Sequence, residues 1–561
     1  MPHLEESFPL ASYHDAPEKD TTDPSPSSTS TKLTTITEYD EIGIRRLSTD
    51  SASTAFSDLE TEDLLAKGAE VSQATKKRWS RRCKSWSTSR PVKIISPVLL
   101  ALIPSFFRKS EKRKLYPTSY LDGLRGVAAF FVTQDHLFHD WFPILFHGYD
   151  TVPDSNHFMQ LPILRCWYSG SGMVCVFFVI SGYVLANKSL QLMRSRPCDF
   201  SAIFDTLASS AFRRGVRLFL PITASTFLSL IFELTHVYPR EYKGKLPIHA
   251  STWPAQFYDW YLNLLASTNP FQMINPGNPI PQETPYDVHL WTIPYEFRGS
   301  MVVFLTLLAI AKTKNSIKTF FLGMFVLYTL WIGQWDLGLF LGGAFFAELQ
   351  FLRRDLFPSH STSLLSPPST TSTPPRPRPF LLKYSKLFLH LLTIPLFFAG
   401  LYLISIPDQQ PESTPGWRRI HAMTPPQYRT EIAPWYTAKF WGTVGSLILL
   451  VSLSFSPPLP FSSSPSGLLQ LPFTTPLAQD LGDISYSLYM MHGPMLYSIG
   501  HYMRKHADSQ PPEMFWWDFV KCVIVWGGAT IWSADLFTRF IDSPSVGFGK
   551  WCAGRCWVEN E

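Results

Sequence analysis

The chain has 561 residues, of which 45% are hydrophobic, and it carries 18 Trp and 43 Phe beside a net charge of only +5. So small a charge, with basic residues grouped beside apolar runs, argues against nucleic acid as a partner and favours a membrane surface. The seven scattered cysteines indicate neither a disulfide framework nor a zinc site, and no metal ligand set is expected.

The N-terminal region, residues 1–93, is rich in Ser, Thr, Asp and Glu and poor in aliphatic residues. Such a composition cannot build a packed core, so this region is predicted to be a disordered cytosolic tail with a basic end next to the membrane. The apolar run that follows is short and is broken by Pro97 and Pro104. We therefore expect 94–117 to lie at the membrane interface without crossing the bilayer.

The rest of the chain contains apolar runs of about 18–22 residues, long enough to cross a bilayer. Predicted spans lie near 120–142, 170–190, 213–235, 289–311, 317–333, 337–352, 382–405, 436–456, 480–501 and 515–540. The predicted fold class is all-α: a polytopic membrane helix bundle of about ten transmembrane helices over 118–550. The positions of Lys and Arg between the spans place both termini, including the tail 551–561, in the cytosol. We expect the endoplasmic reticulum or another endomembrane as the location.

Three connections between the spans have distinctive compositions. The segments 355–380 and 456–476 are rich in Pro and Ser and are predicted to be disordered loops. The connection 236–288 carries several aromatic residues and is expected to pack as a lid over the outer mouth of the bundle.

The first predicted span carries ionisable residues in an otherwise apolar run, among them Asp122, Arg125, Asp135, His136 and His139. Arg125 and His136 are eleven residues apart, about three turns, so they project from nearly the same helix face about 16 Å apart. Ionisable groups cost about 2.5–3.5 kcal/mol each in hydrocarbon, so this face should line a protein interior or a wet cavity. Taken alone, His136 is better explained as a core histidine satisfied by a neighbour. The polar residues of later spans favour a functional site.

Two of those later spans carry ionisable residues at membrane depth. The segment HLWTIPYEFRGSMVVF contains Glu296 and Arg298, and LGDISYSLYMMHGPML contains Tyr489 and His492. Estimated depths allow His136, Glu296 and His492 to converge on one site, with Arg125 nearer the cytosol. The second span is rich in Gly and Ser, which favours close packing of helices.

Five motifs resemble those of one family. YLDGLRGVAAFFVTQDH is similar to the opening of the membrane-bound acyltransferase 3 family, whose signature is an Arg, ten intervening residues and a His, matched by Arg125 and His136. FFVISGYVLA, LWTIPYEF, ISYSLYMMHGPML and FIDSPSVGFGKW resemble four further family motifs in the same order. The resemblance implies about ten spans and an enzyme that transfers an acyl group, commonly acetyl, from acyl-CoA to a hydroxyl of a carbohydrate, lipid or secondary metabolite. The segment around Glu296 departs from the family form Trp-Ser-Leu-x-x-Glu-x-x-Phe, so its role is less well supported than that of His136.

Acyl transfer to an alcohol needs a base that takes the hydroxyl proton, and histidine suits this task near neutral pH. We assign His136 as the general base, with Glu296 or Asp135 as its orienting carboxylate. On an ideal helix Asp135 points about 100° away from His136 and nearer His139, which favours Glu296. His492 is expected to orient substrate or to stabilise charge, with help from Tyr489.

Two arginines each have two explanations. Arg125 binds a phosphate of CoA or pairs with Asp122, and Arg298 pairs with Glu296 or binds an anionic group of a substrate. No cofactor is expected to be bound permanently, and the partners are acyl-CoA (acetyl-CoA) as co-substrate, a hydroxyl-bearing acceptor and the lipid bilayer. The alternative function is a transporter that uses the buried polar residues as a substrate or proton path.

Overall fold

The computed structural model describes residues 102–107, 115–195, 197–239, 246–247, 249–269, 283–356, 381–429, 435–458 and 466–557. Within these ranges every named element is a helix. The main helices are α1 (Ser119–Trp141), α2 (Gly170–Arg194), α3 (Phe200–Leu234), α4 (Trp253–Ser267), α5 (Thr292–Ile310), α6 (Asn315–Trp331), α7 (Trp335–Leu356), α8 (Leu381–Ile404), α9 (Tyr436–Phe455), α10 (Pro476–Met495), α11 (His501–Asp508), α12 (Phe515–Phe537) and α13 (Ser543–Cys556). The predicted all-α class is therefore confirmed.

Two π-helical turns make longer continuous helices. Leu496–Gly500 joins α10 to α11, and Thr538–Asp542 joins α12 to α13. Each π turn widens the helix by one residue, a feature that often occurs next to functional sites. The first of them begins four residues after His492.

Six helical segments of the described chain are long and apolar enough to cross a membrane: Gly170–Arg194, Phe200–Leu234, Val288–Ile310, Leu387–Ile404, Tyr436–Phe455 and Pro512–Cys556. The predicted spans that fall outside this group also form helices, namely α1, α6, α7 and α10. They are either interrupted by charged residues, as α1 is by Asp122, Arg125, Asp135 and Asp140, or short, as α6 is with 17 residues. Composition and length thus support a membrane protein with six apolar spans.

Helices α1 and α10 run parallel with their backbones in close contact. A Cβ atom on Gly126 would lie 2.5 Å from the carbonyl carbon of Leu481 and 2.8 Å from the carbonyl oxygen of Ala478. A Cβ atom on Gly482 would lie 2.5 Å from the carbonyl oxygen of Asp122. Because only glycine fits at both positions, the two helices approach more closely than larger side chains would allow.

The second predicted span also uses glycine for packing, as its composition indicated. A Cβ atom on Gly182 of α2 would lie 2.7 Å from the carbonyl carbon of Phe340 in α7. In the opposite direction, a Cβ atom on Gly343 would lie 2.5 Å from the backbone nitrogen of Tyr183. Helices α2 and α7 therefore form a second tightly packed pair, and much of the main apolar core surrounds it.

The predicted loops and tail have different outcomes. The tail 1–93 and nearly all of 355–380 lie outside the described residues. The end of the segment 456–476 differs from the predicted disordered loop, because Leu468–Thr474 forms a 3-10 helix. Its Gln470 side chain donates to the carbonyl oxygen of Leu453 at 2.9 Å, which ties the turn to the end of α9.

The interfacial segment 94–117 is described only at 102–107 and 115–117. Ser105–Phe107 forms one 3-10 turn, and the backbone nitrogen of Ser105 donates to the Asp535 carboxylate at 3.2 Å. The Trp532 indole donates to the carbonyl oxygen of Leu102 at 2.8 Å. This part of the segment therefore docks on the last long helix of the bundle.

The connection between α3 and α5 contains α4, and α4 packs against α3. The Trp260 indole donates to the Thr226 hydroxyl at 3.1 Å. Further along, the Tyr286 hydroxyl lies 2.9 Å from the Asp259 carboxylate, which places the stretch before α5 against α4. This contact positions Asp287 and His289, which follow directly.

Candidate active site

Three histidine rings from three separate elements meet inside the bundle. His136 comes from α1, His289 from the 3-10 turn Val288–Trp291 before α5, and His492 from α10. The ring centroid of His136 lies 4.0 Å from that of His289 and 5.2 Å from that of His492, and the last two are 4.6 Å apart. The sequence brought His136 and His492 forward as site residues, and the structure places them together.

His289 was missed by the sequence analysis. It is the first residue of the quoted segment HLWTIPYEF, and Asp287 stands two residues before it. An Asp-x-His pattern at the start of a span is the available signal, and it is weaker than that of Glu296, which lies deeper in the apolar run.

Each inner histidine is held through its Nδ1 atom. His289 Nδ1 lies 2.9 Å from Asp287 Oδ1, and the same oxygen accepts the backbone N–H of His289 at 3.1 Å. His492 Nδ1 lies 2.7 Å from the backbone oxygen of Tyr489, while His492 Nε2 is buried with no hydrogen-bond partner. Both rings therefore present Nε2 toward the interior, as histidines do when a second group fixes their tautomer.

His136 is the most accessible of the three. Its side chain is 31% exposed, whereas that of His289 is 8% exposed and the His492 residue is fully buried. His136 is therefore the ring of the three that solvent reaches most readily.

Asp287 is a buried carboxylate that lies one residue before the apolar segment Val288–Ile310. Burial raises the pKa of its carboxyl to about 7. The nearby His492 and the backbone N–H of His289 oppose this shift, because both favour the charged form. Asp287 Oδ2 is buried without a hydrogen-bond partner, so the carboxylate has spare accepting capacity.

Asp135 pairs mainly with His139 and not with His136. Its Oδ1 atom lies 3.0 Å from His139 Nδ1, whereas Oδ2 lies 3.8 Å from His136 Nδ1. This agrees with the helical angle, which turned Asp135 toward His139. His139 also stacks on Phe146 with ring centroids 3.7 Å apart, so the Asp135–His139 pair belongs to the packing of the outer end of α1.

The histidine cluster has the composition of a metal site but is wide for one. One candidate donor atom from each ring lies within 4.8 Å of the other two. Three nitrogens at about 2.0–2.1 Å from a tetrahedral zinc ion would be about 3.3–3.4 Å apart. The rings would therefore have to move closer together to hold an ion.

A cavity lies between α1, α2, α3, α5 and α10. Its apolar wall comes mainly from α2, and its charged residues are Arg125, Arg214, Arg217 and Glu296. Tyr489 and Thr292 also line it, and the Tyr489 ring centroid lies 5.5 Å from that of His492. None of the three histidines lines the cavity, and Tyr489 is the lining residue whose ring lies beside their cluster.

Glu296 is bound within this cavity by Arg214, which the sequence analysis did not select. Arg214 Nη2 lies 2.7 Å from Glu296 Oε1, and Arg214 Nε donates to Ser300 Oγ at 2.8 Å. Ser181 of α2 also donates to Glu296 Oε1, at 3.4 Å. The expected use of Glu296 to orient His136 is therefore corrected: its carboxylate pairs with Arg214 and holds α2, α3 and α5 together at the cavity wall.

The partner of Arg298 is Asp336, and not the expected Glu296. Its Nη2 atom lies 2.6 Å from the Asp336 carboxylate at the start of α7 and also donates to Gln334 at 3.2 Å. Arg298 is not among the residues that line the cavity. The expected pair with Glu296 is thus replaced by a structural pair between α5 and α7.

Arg125 combines features of both of its explanations. It lies 3.8 Å from Asp122, and this pair is partly exposed. Its Nε atom donates to Ser485 Oγ at 2.9 Å and its Nη2 atom to the carbonyl oxygen of Gly482 at 3.0 Å, both in α10. The guanidinium therefore links α1 to α10 and lines the cavity at the same time.

Tyr489 connects the cavity to the cluster. Its hydroxyl lies 2.6 Å from that of Thr292 and also donates to the backbone oxygen of His289. The backbone oxygen of the same residue holds His492. The single proton of the Tyr489 hydroxyl is thus engaged with the backbone oxygen of His289, so Tyr489 ties the cavity wall to the turn that carries His289.

A second cavity adjoins the first at a strongly basic surface. Its lining includes Arg213, Arg214, Arg217 and Lys550, together with the Ser210 and Ser545 residues. The two cavities share Leu185, Arg214 and Arg217. A cluster of four cations around one cavity is suited to a ligand that carries several phosphates.

Comparison with known proteins gives consistent results. The chain matches the acyltransferase domain of the acyltransferase 3 family over residues 118–532. It is 30% identical to O-acetyltransferase PaAT-1 of Phomopsis amygdali, over 81% of this chain and 88% of that protein. It is 26% identical to acyltransferase clz18 of Cochliobolus lunatus and 25% identical to acyltransferase R4 of a Phoma species, each over 76% of this chain and 94% of the relative. No solved structure matches the chain.

The family match covers most of the chain and includes α1, the turn before α5 and α10, which supply the three histidines. The order of the motifs and the shared length of the relatives agree with this assignment. The chain therefore belongs to the acyltransferase 3 family and is an enzyme that transfers acyl groups.

Proposed function

We propose that the protein is an integral membrane O-acyltransferase that moves an acyl group, in the first instance acetyl, from acyl-CoA to a hydroxyl of a small acceptor. The acceptor classes are a carbohydrate, a lipid or a secondary metabolite. The observation that carries the proposal is the cavity that runs from a basic mouth to Tyr489, whose ring lies beside three converging histidines. The O-acetyltransferase among the relatives supports acetyl as the first group to test.

The donor is proposed to enter from the basic side. The phosphates of acyl-CoA suit the four cations of the second cavity, because guanidinium and ammonium groups form charge-assisted hydrogen bonds to phosphate oxygens. The apolar wall of the first cavity suits the acyl-pantetheine arm, and Arg125 lies along it. From Arg125 to His136 the α1 axis advances about 16 Å, so the thioester at the end of such an arm would lie near the histidines.

The reaction is proposed to use His136 as the general base. Its imidazole takes the proton of the acceptor hydroxyl while that oxygen attacks the thioester carbonyl carbon. The carbonyl oxygen gains negative charge, to which the Tyr489 hydroxyl can donate once its proton turns away from the backbone oxygen of His289. His492 donates through Nδ1 to the backbone oxygen of Tyr489 and keeps Nε2 as an acceptor, so it is proposed to orient the acceptor hydroxyl. The carbon–sulfur bond then breaks, and the proton passes from His136 to the CoA thiolate. The products are the ester and free CoA.

We also propose about ten membrane spans, cytosolic termini and an endomembrane location. The helices α1, α6, α7 and α10 would join the six apolar spans to give about ten, since each packs within the same bundle. Both termini and the basic cavity would then face the cytosol, where acyl-CoA is available. An endomembrane such as the endoplasmic reticulum is the proposed location.

The test uses membranes from cells that express the chain, incubated with radiolabelled acetyl-CoA and an acceptor extract. We expect a labelled ester with the native chain and none with His136→Ala at equal protein level. The matched control is His139→Ala, which removes a buried histidine of the same helix outside the cluster. If no acceptor fraction yields an ester while label crosses the membrane, the protein is a transporter.

A further inference from the structure

The proposed reaction assigns no role to the buried pair Asp287–His289, although His289 is the histidine whose ring lies nearest to that of the proposed base. The His289 and His136 ring centroids are 4.0 Å apart, less than the separation of either ring from His492. Asp287 is fully buried and His289 is 7% exposed. A buried carboxylate is costly unless it has a specific partner, so the position of Asp287 calls for an explanation.

The hydrogen bonds fix the tautomer of His289. Because Asp287 Oδ1 lies 2.9 Å from His289 Nδ1, a neutral His289 carries its proton on Nδ1 and leaves Nε2 as an acceptor. This is the arrangement in which a carboxylate orients a catalytic imidazole in hydrolases that use a Ser, His and Asp triad. In this protein the group next to the oriented imidazole of His289 is a second imidazole, that of His136.

Close packing of α10 keeps the pair in place. A Cβ atom on Gly493 would lie 2.5 Å from Asp287 Oδ1 and 2.7 Å from His289 Nδ1. Gly493 therefore lets the backbone of α10 cover the hydrogen-bonded edge of the pair. The same helix supplies His492, the residue before Gly493. The contact between α10 and the turn before α5 therefore fixes the positions of His289, His492 and the Asp287 carboxylate together.

We propose that Asp287 and His289 are positioning residues that orient His136 and favour its protonated form during acyl transfer. The proposal rests on the proposed function and names the partners of the same base. When His136 takes the acceptor proton, the imidazolium is stabilised by His289, and His289 by the Asp287 carboxylate. When His136 returns that proton to the CoA thiolate, the pair is unchanged, so the step needs no other reactant.

The first test is Asp287→Asn, whose Oδ1 can still accept the backbone N–H of His289 and so preserves the turn. We expect kcat to fall by roughly 10²–10⁴-fold, as in triads that lose their carboxylate, with KM for acetyl-CoA unchanged. His289→Gln should show the same division between kcat and KM. The matched control is Glu233→Gln, which alters a carboxylate–histidine pair with His249 outside the cluster.

A pH profile separates positioning from support of the fold. The titratable groups around His136 are Asp135 and His139 on α1, Asp287 and His289 before α5, and His492 on α10. Near and above its raised pKa of about 7 the Asp287 carboxyl is charged, and there Asp287→Asn removes a negative charge that favours protonated imidazole, so the acid limb of kcat/KM should move to lower pH. A purely structural role would lower the plateau and leave the limb in place.

Three outcomes would overturn the proposal. The first is that the Asp287→Asn enzyme has the same kcat as the Glu233→Gln control. The second is that Asp287→Asn lowers kcat but does not shift the acid limb of kcat/KM. The third is a stoichiometric zinc ion in the purified native protein that His289→Gln removes, because the three rings would then be ligands and not a base with its positioning pair. The native chain is assayed in parallel: if it makes no labelled ester, the proposed function has failed, whereas an ester with unaffected variants refutes the positioning role alone.

Discussion

The close contact between α1 and α10 predicts that a larger residue at Gly126 displaces the histidines, by a distance that follows from the helix packing. Replacing Gly126 by Ala places a Cβ atom 2.5 Å from the carbonyl carbon of Leu481. Two carbon atoms in favourable contact are about 3.5–4.0 Å apart, so the helices must separate locally by about 1.0–1.5 Å. His136 and His492 lie ten residues further along the same two helices, so the separation alters the histidine cluster.

The expected result of Gly126→Ala is a loss of activity larger than the loss of stability. A displacement of about 1 Å at reacting groups can lower the rate by about 10²-fold. Overpacking of this kind typically costs about 1–3 kcal/mol, so the protein should still accumulate in membranes. The assay is kcat for labelled ester formation at equal membrane protein, together with the temperature at which the solubilised protein unfolds.

The matched control is Gly528→Ala in α12, where a Cβ atom meets nothing within 4 Å. It reproduces the change in helix propensity, about 1 kcal/mol in favour of Ala, without the close contact. If Gly126→Ala keeps the kcat of this control, the α1–α10 contact does not set the geometry of the histidines, and the reasoning is refuted.

Three further predictions follow from the charged residues. Arg217→Ala and Lys550→Ala should each raise KM for acetyl-CoA by roughly 10-fold, the effect of losing one hydrogen bond to a charged group, with kcat retained. The control is Lys505→Ala, which lies outside both cavities. If the KM values of the variants and the control are equal, CoA does not bind in the basic cavity. Arg298→Gln should leave KM for acetyl-CoA unchanged but lower the unfolding temperature. The variant leaves the Asp336 carboxylate buried and unpaired, at a cost of about 3–5 kcal/mol. A raised KM with normal stability would instead show that Arg298 binds substrate. Glu296→Gln should lower stability and restrict the cavity through Arg214 without shifting the pH profile of kcat/KM, and a shifted profile would reinstate Glu296 as the partner of the base.

Much of the helical framework could be predicted from the sequence because its physical signals are local. Apolar runs of bilayer length and helical angles depend only on neighbouring residues, so the spans and the pairing of Asp135 with His139 follow from them. The α1 motif also brought His136 forward, and the α10 motif His492.

The partners of the charged residues could not be predicted, because they depend on contacts between distant segments. Glu296 and Arg298 lie two residues apart in one helix, yet one pairs with Arg214 of α3 and the other with Asp336 of α7. His289 stands in a short turn and not in a regular span, so no periodicity marks it. Its importance follows only from the position of the turn against α10.

The parallel alignment of α1 and α10 has a consequence for divergence among related enzymes. Gly126 faces the Gly482 region, and ten residues later His136 faces His492, so each helix advances about 15 Å between the same two levels. A shift of either helix along its axis would disturb the arginine site and the reaction centre together. Preference for a new acceptor or a longer acyl chain should therefore evolve through side chains on α2, α3 and α5, while the spacing set by this helix pair is retained.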